Sequence, residues 1–278
     1  MQRLFKAVAN MDIRLFYLII TVVVTIPLVR PFGFPLNVSP MVREAYDIIE
    51  TTVQEGDIVL VDVDFEPRRA AEMDPILTVM GKHIASKGGR MVLFTMEAGA
   101  FPYMDKFAKT MGSEFEMEYG KDIIGLPFAA GAEAAFSSFA QDIRGLYTVD
   151  MYGDPLQQLP LWSEITDASV AKMGLFVCPS NNGEFFIRQI GVPLNLTVLG
   201  GVASQQVSLM KTYHQSKQLN AMVVGTAGAA EYEFLTKFVG SAASQMDAQS
   251  LGHLLLIFFI VLGNIGYLLE KRTIKNGN

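Results

Sequence analysis

The feature that most constrains this chain is a run of 19 residues, 251–269 (LGHLLLIFFIVLGNIGYLL), that carries no Asp, Glu, Lys or Arg. A helix of that length, rising about 1.5 Å per residue, covers roughly the 30 Å hydrocarbon core of a bilayer. A second apolar run, residues 13–29 (IRLFYLIITVVVTIPLV), lies near the other end. Its Arg14 can reach the membrane interface, and Pro27 stands near its exit. Half of the chain is hydrophobic and only 18% is charged, and these two segments account for the excess over an ordinary soluble protein. The expectation is therefore two transmembrane helices. Arg3, Lys6 and Arg14 would also suit the basic region of a cleaved signal peptide, but the chain continues VRPFGFPLN without a small-x-small cleavage site. The first run thus reads as an uncleaved signal anchor.

The flanking charges predict the orientation. Arg3, Lys6 and Arg14 stand at or before the start of the first span and Lys271, Arg272 and Lys275 follow the second, whereas on the other side only Arg30, Arg43 and the more distant Lys237 lie close to the membrane. That bias favours cytoplasmic termini (residues 1–12 and 270–278) and an extracytoplasmic domain. The net charge of −6 excludes a broad basic surface, and with it nucleic acid as a partner. One cysteine, Cys178, excludes a fold stapled by disulfides.

Between the spans, residues 30–55 read as a Pro/Gly-rich linker followed by an amphipathic helix, with Val42, Tyr46, Ile49 and Val53 at helical spacing. Residues 56–245 then alternate. Short apolar runs at 57–63, 90–94, 122–124, 148–149, 173–178, 196–199 and 221–224 predict strands. Helical patterns fall at 67–87, 102–111, 129–144, 183–190, 204–217 and 229–239. The alternation predicts one α/β domain with a mostly parallel, open, Rossmann- or flavodoxin-like sheet, flanked by the two transmembrane helices. The last helix points into the second span through GSAASQMDAQS.

In an open α/β sheet, ligands bind outside the carboxyl ends of the strands. Polar residues at the predicted strand exits, namely Asp64, Glu97, Ser180, Asn181, Ser204 and Thr226, therefore make a candidate ligand crevice. The competing account is that turns and helix caps need such residues anyway. Asp62-x-Asp64 superficially resembles the nucleophile motif of aspartate phosphatases, but Glu66 stands where a Thr or Val is needed and no lysine and acidic pair follows convincingly. Cys178 lies between Val177 and Pro179, which cannot form a strained nucleophile elbow. The only histidines are His83, His214 and His253, so the Cys reads as a buried thiol and no metal cluster is visible. Gly225-Thr226-Ala227-Gly228 precedes a helix, but Glu231 and Glu233, expected in its first turn, would repel phosphate there. In the spans, Asn264, Thr21 and Thr25 invite either contacts between helices or exposure at the interface.

Three stretches, Tyr119-Gly120-Lys121-Asp122, Gly153-Asp-Pro155-Leu156 with Leu159-Pro160, and Gly228-Ala-Ala-Glu231-Tyr232-Glu233, carry a resemblance. In them the chain resembles an uncharacterised bacterial and archaeal family of two-span membrane proteins with an α/β domain. The chain has Ala129-Ala130-Gly131 where that family tends to have a proline and paired glycines. The resemblance implies architecture and no activity.

These features predict no catalytic residues, no metal and no cofactor. The expected role is a membrane-anchored, non-catalytic subunit that binds lipid and either a partner membrane protein or a second copy of itself. Its Met-rich, apolar composition suits protein contacts. The alternative expectation is an anchored hydrolase or small-molecule-binding domain that uses the crevice.

Overall fold

The computed structural model describes residues 12–33, 37–238 and 240–276, the last eight of these as backbone only. It divides into two compact units, Leu36–Ala242 and a second unit made from the two ends of the chain.

The Leu36–Ala242 unit is built on six parallel strands in the order β3-β2-β1-β4-β5-β6. They are β1 (Ile58–Val63), β2 (Arg90–Phe94), β3 (Ile123–Gly125), β4 (Met173–Cys178), β5 (Thr197–Val202) and β6 (Ala221–Val224). Both β1 and β4 are buried at every position, as expected for strands covered on both faces. The chain leaves β1 toward β2 and β3, then returns to the far side of β1 for β4, β5 and β6. Asp62 is in register with Phe94 on β2 and with Phe176 on β4.

One face is covered by α2 (Pro40–Thr52), α3 (Ala70–Ser86), α4 (Phe101–Phe115) and α9 (Gly225–Thr236). The other carries α5 (Glu133–Gln141), α6 (Ile143–Leu146), α7 (Asn182–Phe186) and α8 (Val207–Gln215). An aromatic core fills the second face, where Phe94 stacks on Phe139 at 4.0 Å and Phe186 lies within reach of both Phe94 and Phe176. On the first face His83 joins three helices. Its Nδ1 lies 2.8 Å from the hydroxyl of fully buried Tyr232, its Nε2 lies 2.9 Å from Glu50, and Tyr46 stacks on its ring. A carboxylate only accepts, so Nε2 carries the proton and the tyrosine donates to Nδ1.

Several expectations are refined. Pro67 opens a 3₁₀ turn, and α3 starts only at Ala70. The run at 148–149 is no strand but one isolated antiparallel bridge, Val149 to Pro155. Strand β5 does not stop at Leu199. It continues through Gly200 and Gly201 because the Phe176 ring lies where a Cβ on Gly200 would sit, 2.6 Å away, so only glycine fits. Helix α9 begins at Gly225, which places Glu231 and Glu233 beyond its first turn. Glu231 accepts from the Ser39 amide and hydroxyl at 2.8 and 2.7 Å, and Glu233 accepts from the Ala242 amide at 2.9 Å.

The stretches behind the family resemblance are structural here. Tyr119 donates to Asp150 at 2.8 Å, Asp150 accepts from the amides of Tyr152 and Asp154, and the Gly120 carbonyl accepts from Leu161. Together they fasten the loops around β3.

In the second unit, α1 (Ile13–Val29) packs beside α10 (Ala242–Asn276), with the Phe16 and Phe259 rings 4.9 Å apart. Residues Ala242–Leu268 are long and apolar enough to cross a membrane, whereas α1 is a shorter apolar helix of 17 residues. The amides of Phe32 and Gly33 donate to Asp247 at 2.7 and 2.9 Å. Thr21, Thr25 and Asn264 each donate to a carbonyl four residues earlier in their own helix, so none of these hydrogen bonds links one helix to the other.

Candidate functional site

Where the chain reverses its direction of winding, between β1 and β4, the loops on either side splay apart and leave a crevice. Here it is a polar cleft of about 470 Å³. The β1 exit supplies Asp64, Glu66, Arg68 and Arg69, the β2 exit supplies Glu97, and the β4 exit supplies Ser180, Asn181 and Asn182. Gln206 closes the wall from the turn after β5.

Four of the six residues expected at the crevice, Asp64, Glu97, Ser180 and Asn181, line this cleft. The other two stand at the exits of the outer strands. Ser204 donates through its amide and hydroxyl to Glu72 at 2.9 and 2.8 Å. Thr226 lies in the first turn of α9, beside Gly225. Gly225 has φ of +59°, and a Cβ there would come within 2.6 Å of the Ser204 hydroxyl, so the Ser204 and Glu72 side chains close this corner against the glycine. Sequence reasoning missed Gln206 and the two arginines, and Asn182, though in the run read at the β4 exit, was not among the six. Asn182 adjoins two residues that were found. The arginines follow a proline, and nothing in the pattern of that turn shows that it folds back over the cleft.

Asp64 organises the floor. One carboxylate oxygen accepts from the Met96 amide at 2.7 Å and the Thr95 hydroxyl at 3.1 Å, and the other accepts from the Asn182 side-chain amide. Burial pushes this carboxyl up, and these donors hold the rise in check. The other carboxylates are also engaged: Glu66 with Arg68, and Glu97 with the Gly99 amide at 3.2 Å. Arg69 donates to Gln205 at 3.1 Å. Cys178 lies behind the floor. Its buried sulfur contacts the Ser180 amide at 3.3 Å, and burial pushes the thiol far above its usual range, which keeps it protonated and unreactive.

Asp62, one pleat deeper on the same face of β1, differs from Asp64. It is fully buried, and neither of its carboxyl oxygens has a hydrogen-bond partner. Burial, with Asp64 adding to it, pushes its carboxyl well above the usual range. The hydroxyl of Tyr147, buried in the loop after α6, is likewise unpartnered, and burial and the two aspartates push it up.

A second cavity, about 240 Å³, lies between α3 and α4, but its lysines are already paired, Lys82 with Glu114 at 2.7 Å and Lys106 with Asp74 at 2.6 Å. Among the described residues, no group of three or more His, Cys, Asp or Glu side chains is arranged to hold a metal ion. The chain matches no protein-family model, no curated protein and no solved structure.

Proposed function

We propose that this chain is a membrane-anchored binding module that takes a small polar ligand in the cleft between β1 and β4. The observation that carries the proposal is the cleft itself, which sits at the switch point of a parallel sheet with arginines, carboxylates and side-chain amides converging on about 470 Å³. Asp64, Glu66 and Glu97 each accept from a neighbour, which fixes them in place as acceptors for the donors of a polar ligand. The apolar segment of α10 supplies one anchor. The shorter helix α1 supplies a second if its basic flank completes the span, and the charge bias then places both termini in the cytoplasm.

Native mass spectrometry of the full chain, extracted in mild detergent, tests the reading. A retained small molecule, lost on Arg69→Ala or Asn181→Ala while the fold persists, is the expected result. Absence of any retained molecule, together with no thermal stabilisation by amino acids, sugar phosphates or nucleotides, would sink it. A cytoplasmic reporter fused after Asn278 should be active and one inserted near Asn37 silent. The reverse pattern would overturn the orientation.

A second reading, a subunit that docks a partner or a second copy, is favoured by Phe101 and Tyr152. Each is 45% exposed, and the two meet edge to face at 6.2 Å. Co-purification of a stoichiometric partner, or a stable oligomer with an empty cleft, would favour this reading over the first.

A further inference from the structure

Burying a carboxyl without a partner is costly enough that proteins neutralise it, pair it with a cation or bind something to it. Asp62 has none of these from the protein. Its neighbours in register are phenylalanines, Phe94 and Phe176, and the stack continues from Phe94 to Phe139, whose ring meets Tyr147 edge to face at 6.3 Å. The titratable groups that act on it or feel it are Asp64 just past its own strand, Cys178 on β4 and Tyr147 beyond α6; the Thr95 hydroxyl after β2 is bonded to Asp64, and α5 and α7 present aromatic rings. No basic side chain is among the groups acting on Asp62. The unpartnered Tyr147 hydroxyl belongs to the same aromatic wall, since its ring meets Phe139, which stacks on the register neighbour of Asp62.

We propose that Asp62 and the Tyr147 hydroxyl form a buried proton-binding site beneath the cleft, joined by a bridging water and opening to solvent through Asp64. The division of labour within the pair follows from their hydrogen bonds. Asp64, with three donors, keeps the negative charge, and Asp62, with none, holds the proton. On release, the Asp62 O–H bond breaks and its electron pair stays on the carboxylate. The proton passes through the bridging water to the Asp64 carboxylate, which Asp62 does not itself touch, and from there to water in the cleft. The cleft floor then gains one negative charge without any rearrangement of the sheet, so proton occupancy adjusts the potential a ligand meets.

Infrared spectroscopy of the full chain in detergent reads the proton directly through the carbonyl stretch of a protonated carboxylic acid. At pH 7 the parent should show such a band and Asp62→Asn should lack it. The band should shift on transfer to D₂O while the protein stays folded, and Tyr147→Phe should move its position without removing it. If parent and Asp62→Asn are identical in this region at pH 5–7, Asp62 is not protonated and the proposal fails. A band that resists D₂O until the protein unfolds would refute the opening to the cleft. Loss of the band on adding millimolar magnesium chloride, with the parent still folded, would show a cation site in place of a proton site. Because Asp62→Asn alters one atom, folding is expected to survive. Should it fail, the parent's own pH titration of the band decides between the same outcomes.

Discussion

Replacing Tyr232 by phenylalanine removes one oxygen atom and little volume from a fully buried position, which isolates the hydrogen bond to His83. What remains is an imidazole nitrogen, His83 Nδ1, with no donor, in a side chain only 2% exposed. Stranding a buried acceptor costs about 1–3 kcal/mol, against about 1 kcal/mol for an average hydrogen bond lost to solvent. At pH 7.5 we therefore expect Tyr232→Phe to lose about 2 kcal/mol. The pH dependence adds a second, independent sign. Burial lowers the folded-state value of His83, so the unfolded chain takes up a proton first as pH falls below the imidazole's ordinary 6.5. The stabilisation is thus fully present above about 6.5 and is lost as the pH drops through the window beneath it, by at most about 1.4 kcal/mol per unit. Glu50, held at about 2 by hydrogen bonds from His83 and Lys87, acts in the same direction at lower pH, between the ordinary 4.5 and that value. Its side chain is 36% exposed, so solvent screening leaves its share small. The variant lacks the donor that favours neutral His83, so the difference between parent and variant should shrink from pH 7.5 to 5.5. Urea denaturation of the detergent-solubilised chain can follow the single tryptophan, Trp162, which is 4% exposed inside the α/β unit. A variant within 0.5 kcal/mol of the parent at pH 7.5, on the roughly 1–3 kcal/mol scale above, or a difference that widens toward acid pH, would refute this account of the three-helix junction.

Asp62→Asn should raise the urea midpoint at pH 7, since a carboxyl that burial holds protonated forgoes the ionisation that the unfolded chain gains above about pH 3.9. The folded value is raised, so this gain fades as pH falls toward 4. Gly81→Ala ought to gain about 1 kcal/mol of helix propensity, but its methyl would overlap the buried ring of Phe107. We expect a net loss of about 1–3 kcal/mol, recovered by adding Phe107→Leu, with urea midpoints as the readout. Asp247→Ala should raise hydrogen exchange at the Phe32 and Gly33 amides roughly tenfold or more, measured by mass spectrometry, because a carboxylate acceptor is worth about 1.5–3 kcal/mol.

Much of the α/β unit is legible in the sequence because burial on both faces turns a parallel strand into an unbroken apolar run. Strands β2, β4 and β6 fall at the expected residues, and β1 and β3 within one position. The errors arise where tertiary packing overrides local pattern. Gly200 and Gly201 look like a stop, but a Cβ on Gly200 would meet the Phe176 ring and one on Gly201 would meet Ile76 and Val177, so close packing asks for glycine at both. Topology alone brings the Asp64 side of the cleft to the Ser180 side, so strand exits sufficed to name four of its residues. Tyr147 could not be found this way, because it belongs to an irregular loop far from Asp62 in sequence and is positioned by the Phe94–Phe139 stack. For Thr21, Thr25 and Asn264 the sequence left contacts between helices and exposure at the interface equally open, and in the structure each bonds to the preceding turn of its own helix.

The placement of β1 also sets the order in which the protein can be made. Its two neighbours come from opposite sides in time, since β2 follows within a few tens of residues, whereas β4 begins roughly 110 residues after β1 ends. At 5–20 residues per second, a growing chain therefore holds the central strand with one unpaired edge for about 5–20 s. That edge is hydrophobic along its whole length and offers Asp62 as its only charged side chain. Such a strand invites wrong pairing with another nascent chain. The acid that destabilises the finished sheet is, during synthesis, still open to water and ionised, and a charge in the middle of an unpaired apolar strand is the kind of feature that deters such pairing.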